Sequence, residues 1–345
     1  MKDKIKKQWY NDISNDTYLL GGCFMLEPLF LKPVLQEKIW GGTKLKEVFD
    51  YPLESDHVGE CWAISAHPHG VCTVENGPFK GEKLDTLWKE HQELFGNSKE
   101  EVFPLLTKIL DAADDLSVQV HPDDLYGKEH EGELGKTECW YIISADPGAE
   151  IIYGHHAKSK EELAEMIESG NWDHLLRRVP VKAGEFYFVP SGTIHAIGKG
   201  IMILETQQSS DTTYRVYDYD RTDDAGNPRE LHIQQSLDVT TIPHVDPELA
   251  IQQVNEGESS ITTFIKSDYF NVYDWTVSGV LPIKTDAPYT LVSILDGFGY
   301  ISINDQEEKV EVKKGQHFIL PTDVTSIRLE GDLKIIASEP GTKNR

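Results

Sequence analysis

The chain has 345 residues, of which 39% are hydrophobic and 10% aromatic, an ordinary composition for a globular protein with a buried core. Its formal net charge of -25 argues against nucleic acid and anionic membrane as partners, because such a surface repels both. No apolar run reaches the roughly 20 residues of a membrane-spanning helix, and an anionic small molecule would be repelled too unless its site supplied local cations.

The first 24 residues are polar and lysine-rich and look foreign to the rest of the chain. Leu19-Leu20-Gly21-Gly22-Cys23 imitates a lipoprotein cleavage site, but Asn11–Tyr18 carries Asp12 and Asp16 and cannot form the apolar core of a signal peptide. The expectation is an extension over 1–24, with Met25 as the functional start. The four cysteines (Cys23, Cys61, Cys72 and Cys139) form no CxxC pair and read as reduced thiols of a cytoplasmic protein.

Beyond Met25 the pattern is mainly β. Helical periodicity predicts short helices over Lys83–Glu90 and Phe103–Leu110. Ser159 with Glu162 forms a capping box that opens a helix through about Ser169. Short runs rich in β-branched and aromatic residues predict strands at Ser117–Val120, Cys139–Ile143, Glu185–Val189, Met202–Leu204, Leu291–Leu295 and His317–Leu320. Gly184-x5-Pro190 resembles Gly315-x5-Pro321, which two tandem barrels of one type would explain. Acidic, polar Pro243–Ser260 reads as the linker between them.

Three segments carry chemistry. In a strand through Ser117-Val118-Gln119-Val120-His121, residues two apart share a face, so Gln119 and His121 project together with Ser117. Lys136 and Glu138 likewise share a face at the start of an apolar strand, where buried charges must be paired, ligated or neutralised. In Pro190-x-Gly192-x-x-His195 a strand meets a tight turn, and the next strand opens on an inward histidine. By contrast, His67-Pro68-His69 reads as a loop, and His155-His156 as an exposed pair before the capped helix.

Gly184-x5-Pro190-x-Gly192-x-x-His195 resembles the second signature motif of the cupin superfamily. The Gln119-x-His121, Lys136-x-Glu138 and Pro190-x-Gly192-x-x-His195 segments, with Glu205 through Arg221, Glu27-Pro28-Leu29, Ile39-Trp40-Gly41-Gly42 and Gly59-Glu60-x-Trp62, resemble the class I phosphomannose isomerases, in their short bacterial branch. The resemblance runs from about residue 25 to the end. It implies two tandem cupin-type double-stranded β-helix barrels with a few short helices. A metal-binding catalytic domain would span 25–250 and a cupin-like domain without metal ligands 260–345. After Pro321, Asp323 and Ser326 stand where the motif would have glycine and histidine.

Gln119, His121, Glu138 and His195 offer two imidazoles, a carboxylate and an amide oxygen, which suit zinc or a similar divalent ion; the resemblance implies zinc, one per chain. It further implies a sugar-phosphate substrate and the isomerisation of mannose 6-phosphate and fructose 6-phosphate. Arg215 corresponds to the family's catalytic arginine, Lys136, Glu205 and Asp211 are candidates for proton transfer and ring opening, and Lys108, Ser117 and Arg221 match phosphate-contacting positions. Burial beside a metal would lower the pKa of Lys136 and make it a base. The alternative is a non-catalytic, metal-containing cupin that binds a sugar phosphate. Deleting residues 1–24 is expected to leave turnover and melting temperature nearly unchanged; an insoluble or inactive truncated protein would contradict the reading of that segment.

Overall fold

The computed structural model describes residues 26–222 and 226–344. The proposed extension and Cys23 lie outside the described residues. The chain is mainly β, in three antiparallel sheets with short helices at their margins. One sheet of six strands runs in the order Phe186–Val189, Glu138–Ala145, Ile201–Gln208, Leu105–Asp111, Val58–Ile64 and Val34–Gly42. A five-stranded sheet runs Tyr214–Tyr217, Val118–Val120, His195–Ile197, Glu150–His155 and Leu176–Pro180. These two enclose a core in which Trp140, Ile142 and Leu110 of the first meet Ile151, Tyr153 and Ile197 of the second. They form the N-terminal cupin-type unit.

The third sheet has nine strands and holds the C-terminal strands, from Gln252–Glu256 to Ser326–Pro340. Its register also takes in Leu29–Lys32, paired with His317–Leu320, and Thr73–Val74 beyond it. The two halves of the chain are therefore interlocked. Leu29, Leu31, Trp88 and Phe103 share one apolar cluster with Phe270, Tyr289, Leu291 and Ile319.

Local sequence explains most of the elements. The capping box forms: the Ser159 hydroxyl accepts from Glu162 N–H at 3.2 Å, ahead of the helix Lys160–Glu168. The Glu162 carboxylate accepts from Lys158 N–H at 2.7 Å, one residue earlier than the usual reciprocal bond. The helix expected from Lys83 runs Leu84–Glu90. Gly184 and Gly315, the first residues of the internal repeat, both hold left-handed backbone, at φ 89° and 83°, before the strands Phe186–Val189 and His317–Leu320.

The helix expected over Phe103–Leu110 is instead a strand, Leu105–Asp111, buried at every position. It lies between Ile201–Gln208 and Val58–Ile64, covered on both faces, so its run of apolar side chains carries no alternation to betray it. The stretch read as linker is irregular only in part, since Gln252–Glu256 pairs with Ser259–Lys266 as the edge of the nine-stranded sheet. His155 is buried, with Nε2 at 3.0 Å from the Thr241 carbonyl, because its strand packs under the 239–244 segment; His156 is exposed as expected. Among the described residues no helix is long and apolar enough to cross a membrane.

Tyr289 lies where the two halves meet, with ring centroids 5.5–6.0 Å from Phe103, Phe95 and Trp88. Its buried hydroxyl has no hydrogen-bond partner among the described residues. Tyr289→Phe is expected to be neutral or to stabilise by up to about 1 kcal/mol. Tyr289→Ala should cost about 3–5 kcal/mol through loss of packing. Urea unfolding of both variants checks this; a strongly destabilised Phe variant would show that the hydroxyl is satisfied.

Candidate metal centre

Three buried side chains converge between the two N-terminal sheets. His121 follows the strand Val118–Val120, His195 opens the neighbouring strand, and Glu138 opens a strand of the opposite sheet. Glu138 Oε2 lies 3.5 Å from His121 Nε2, and Glu138 Oε1 lies 3.3 Å from His195 Nε2. One ligand atom from each residue falls within 4.8 Å of the others, and all three residues are about 1% exposed.

Short-range backbone features aim the rings. The turn Pro190–Thr193 is closed by Thr193 N–H donating to Pro190 O at 3.1 Å, with Gly192 third in the turn at φ 84°. A Cβ there would lie 2.5 Å from Thr241 Oγ1, so both conformation and space call for glycine. The turn brings the Thr193 carbonyl 2.8 Å from His195 Nδ1, and the Thr212 carbonyl lies 2.9 Å from His121 Nδ1. A carbonyl can only accept, so each Nδ1 carries the proton and each Nε2 presents a lone pair to the centre. Burial, the Lys136 ammonium and His195 hold His121 well below the usual imidazole range; burial pulls His195 down to about 4. Both rings are thus neutral near pH 7, the form that ligates.

His121 Nε2, His195 Nε2 and Glu138 Oε2 are all buried without a hydrogen-bond partner among the described residues. Three converging acceptor atoms without a donor would be costly to bury, and a divalent cation satisfies all of them at once. The donor set fits the implied metal.

Beside this cluster lies a cavity lined by Ser117, Gln119, Lys136, Glu205, Asp211 and Arg215, together with Lys38, Lys108, Glu60 and Arg229. Arg215, Gln119 and His195 are direct register partners across three adjacent strands, spaced about 4.8 Å per strand. Lys136 Nζ is 3.4 Å from Glu138 Oε2. Lys108 Nζ sits 4.7 Å above the Trp62 ring, 3.8 Å from Glu60 and 3.9 Å from Asp211. Burial raises Asp211 and Glu60, but lysine charges outweigh it: Lys108 and Lys136 hold Asp211 below the usual carboxylate range, and Lys108 and Lys38 do so for Glu60. Burial and the charge of Glu138 push Glu205 up. Trp140 Nε1 lies 3.0 Å from Glu138 and 3.1 Å from Glu205, joining the two carboxylates.

Burial pulls Lys136 down, while the charges of Glu138, Glu205, Asp211 and Glu60 hold it above its usual range; a divalent ion on Glu138 would offset the first of these charges. Arg221 is not among the lining residues. Its guanidinium bonds Asp218 at 2.6 Å and the Asp115 carbonyl at 2.5 Å, because the backbone turns over at Tyr219 and Asp220, both at positive φ. Arg229, which does line the cavity, is not singled out by the sequence, because its segment carries no motif. His69 Nδ1 is 3.1 Å from the lining residue Asp211, and His67 Nε2 is 3.5 Å from Glu133.

Comparison with known proteins agrees with this geometry. Residues 29–144 match the family model described as phosphomannose isomerase type I, catalytic domain, and residues 260–340 match that of the mannose-6-phosphate isomerase cupin domain. The chain is 60% identical to a mannose-6-phosphate isomerase of Streptococcus mutans, over 91% of this chain and 98% of the relative. It is 52% identical to mannose-6-phosphate isomerase ManA of Bacillus subtilis, over 90% and 98%. The crystal structure of a Bacillus subtilis mannose 6-phosphate isomerase superimposes with a TM-score of 0.88 at 51% identity, covering 90% of this chain and 99% of that one. The chain belongs to the type I phosphomannose isomerase family.

His195→Ala is expected to lower bound metal by more than about tenfold while the sheets stay folded, since few donors hold the ion. Elemental analysis with circular dichroism on one preparation checks this; undiminished metal in the variant would remove His195 from the centre.

Proposed function

We propose that the protein is a cytoplasmic mannose-6-phosphate isomerase, interconverting mannose 6-phosphate and fructose 6-phosphate with one zinc ion per chain held by His121, Glu138, His195 and Gln119. The observation that carries this reading is a buried ligand cluster next to a cavity lined by Lys136 and Arg215, with Lys136 Nζ 3.4 Å from Glu138. When bound, the ion supplies Lewis-acid polarisation of the substrate oxygens. In this reading, residues 25–250 carry the chemistry, and 260–345 support it by packing.

Aldose–ketose isomerisation moves a proton between C1 and C2 through an enediolate. Lys136, Glu205 and Asp211 face the cavity and are the groups that accept and return protons at the substrate's carbon and oxygen atoms. Lys136 Nζ, 3.4 Å from Glu138, can in its protonated form donate to a developing oxyanion. Arg215 Nη1 donates to the Glu230 carbonyl at 2.8 Å, which fixes the guanidinium, while its buried Nε has no partner among the described residues. A fixed cation with an unspent donor, one strand away from Gln119, can stabilise negative charge on the substrate. A sugar-phosphate binder without catalysis would need the metal cluster but not this arginine and lysine.

Arg215→Lys is expected to lower kcat about 100- to 1,000-fold, the usual loss for one oxyanion contact. Metal content and melting temperature should stay near wild type, because Arg215 is not a ligand. Turnover of mannose 6-phosphate, metal content and melting temperature are measured on the same preparation. Near-normal kcat would remove Arg215 from the chemistry and favour the binding protein.

A further inference from the structure

The end of the cavity beside Arg215 is crowded with guanidinium groups. After the strand Tyr214–Tyr217 the chain turns at Asp218–Arg221 and returns through the Thr222–Pro228 bridge, so that Arg229 lies back alongside Asp218. Arg229 Nε and Nη2 donate to the two oxygens of Asp218 at 2.7 and 2.6 Å, a bidentate pair with a carboxylate whose side chain is only 5% exposed. Arg221 donates to the same carboxylate and also faces Asp114 at 3.7 Å. Hydrogen bonds from Arg229 and Arg221 hold Asp218 below the usual carboxylate range against the effect of burial.

Charge balance gives this arrangement its meaning. Arg221 is spent on Asp218, Asp114 and the Asp115 carbonyl, away from the cavity. Arg229 and Arg215 both line it; the carboxylates acting on Arg215 are Asp218, which Arg229 shares with Arg221, and Glu230. Burial and the nearby Arg229 charge pull the pKa of Arg215 down, the mark of like charges pressed together. The lysines at the other wall are differently placed: Lys108 and Lys38 face Glu60, and Lys108 also faces Asp211. Arg215 and Arg229 thus bring two guanidinium groups to the lining of one cavity, and Arg229 Nη1, fixed in the plane of the bidentate pair, is the donor group not engaged by Asp218.

We infer that Arg229, held in place by Asp218, binds the phosphate of the sugar phosphate and sets the preference for phosphorylated over free sugar. This rests on the isomerase reading above for its substrate but makes a separate claim about which arginine meets the dianion. Asp218 is a positioning residue in this arrangement. Removing one charge-assisted contact to phosphate should weaken binding by about 10- to 100-fold.

The test is steady-state kinetics of the metal-loaded full chain with mannose 6-phosphate, together with competition by inorganic phosphate. For Arg229→Ala the expected result is a KM raised about 10- to 100-fold, kcat within about threefold of wild type, and phosphate inhibition weakened by the same factor as KM. Arg229→Lys, which keeps the charge but not the fork, should lie between; it serves as the reading if the alanine variant fails to fold. A folded variant with KM and phosphate inhibition within about twofold of wild type overturns the inference. So does a fall in kcat with KM and phosphate inhibition unchanged. If the wild-type protein shows no turnover but inorganic phosphate raises its melting temperature in an Arg229-dependent way, the anion site stands and the isomerase reading fails.

Discussion

The N-terminal half is organised around one constraint: three electron-pair donors, His121 Nε2, His195 Nε2 and Glu138 Oε2, are buried together without a hydrogen bond among the described residues, and only Lys136 faces one of them, as an ion pair 3.4 Å from Glu138. Left so, they would cost several kcal/mol. The sheets nevertheless hold them within a few ångströms, and the backbone reinforces the arrangement by fixing the opposite ring nitrogens on the Thr193 and Thr212 carbonyls. A site built this way stores its cost in the fold and recovers it when a cation binds, which ties metal affinity to the rigidity of the turn at Gly192.

The same site resolves the electrostatic difficulty raised by composition. A chain of net charge -25 should repel a sugar phosphate. The cavity reverses that field locally with Lys38, Lys108, Lys136, Arg215 and Arg229 against Glu60, Glu205 and Asp211. Most of these charges are paired, which keeps the burial tolerable. The acidic exterior and the cationic interior are thus compatible, because field strength at a buried site depends on near neighbours more than on net charge.

How much of this is legible in the sequence depends on the range of the determinants. The capping box at Ser159, the Gly192 turn and the pairing of residues two apart around His121 are short-range, and the sequence displays them directly. The strand Leu105–Asp111 is hidden because a segment covered on both faces loses its alternation, and a run such as Leu105-Leu106-Thr107-Lys108-Ile109-Leu110 fits either period. The charges that act on Lys136 are not legible in the sequence, because Glu205, Asp211 and Glu60 come from other elements. Arg229 escapes notice for the same reason: its place depends on a turn with Tyr219 and Asp220 at positive φ, which no periodicity announces. The entry of Leu29–Lys32 into the C-terminal sheet is equally nonlocal.

The C-terminal repeat shows what separates a ligand histidine from a structural one. Both repeats use a left-handed glycine, a four-residue strand and a proline. In the first, the turn after the proline delivers His195 with one ring nitrogen held by backbone and the other left open. In the second, the histidine sits before the proline, at His317, and both of its nitrogens are engaged: Nδ1 lies 2.9 Å from Ser293 Oγ and Nε2 2.6 Å from Tyr51 Oη. Tyr51 comes from the N-terminal half, where its hydroxyl also lies 3.0 Å from the Gly315 carbonyl. Burial lowers the pKa of His317 to about 3, so this ring is as neutral as His195. Neutrality alone therefore does not make a metal ligand. The difference lies in the partner of the second nitrogen, which in one repeat is left for a cation and in the other is spent joining the two halves of the protein.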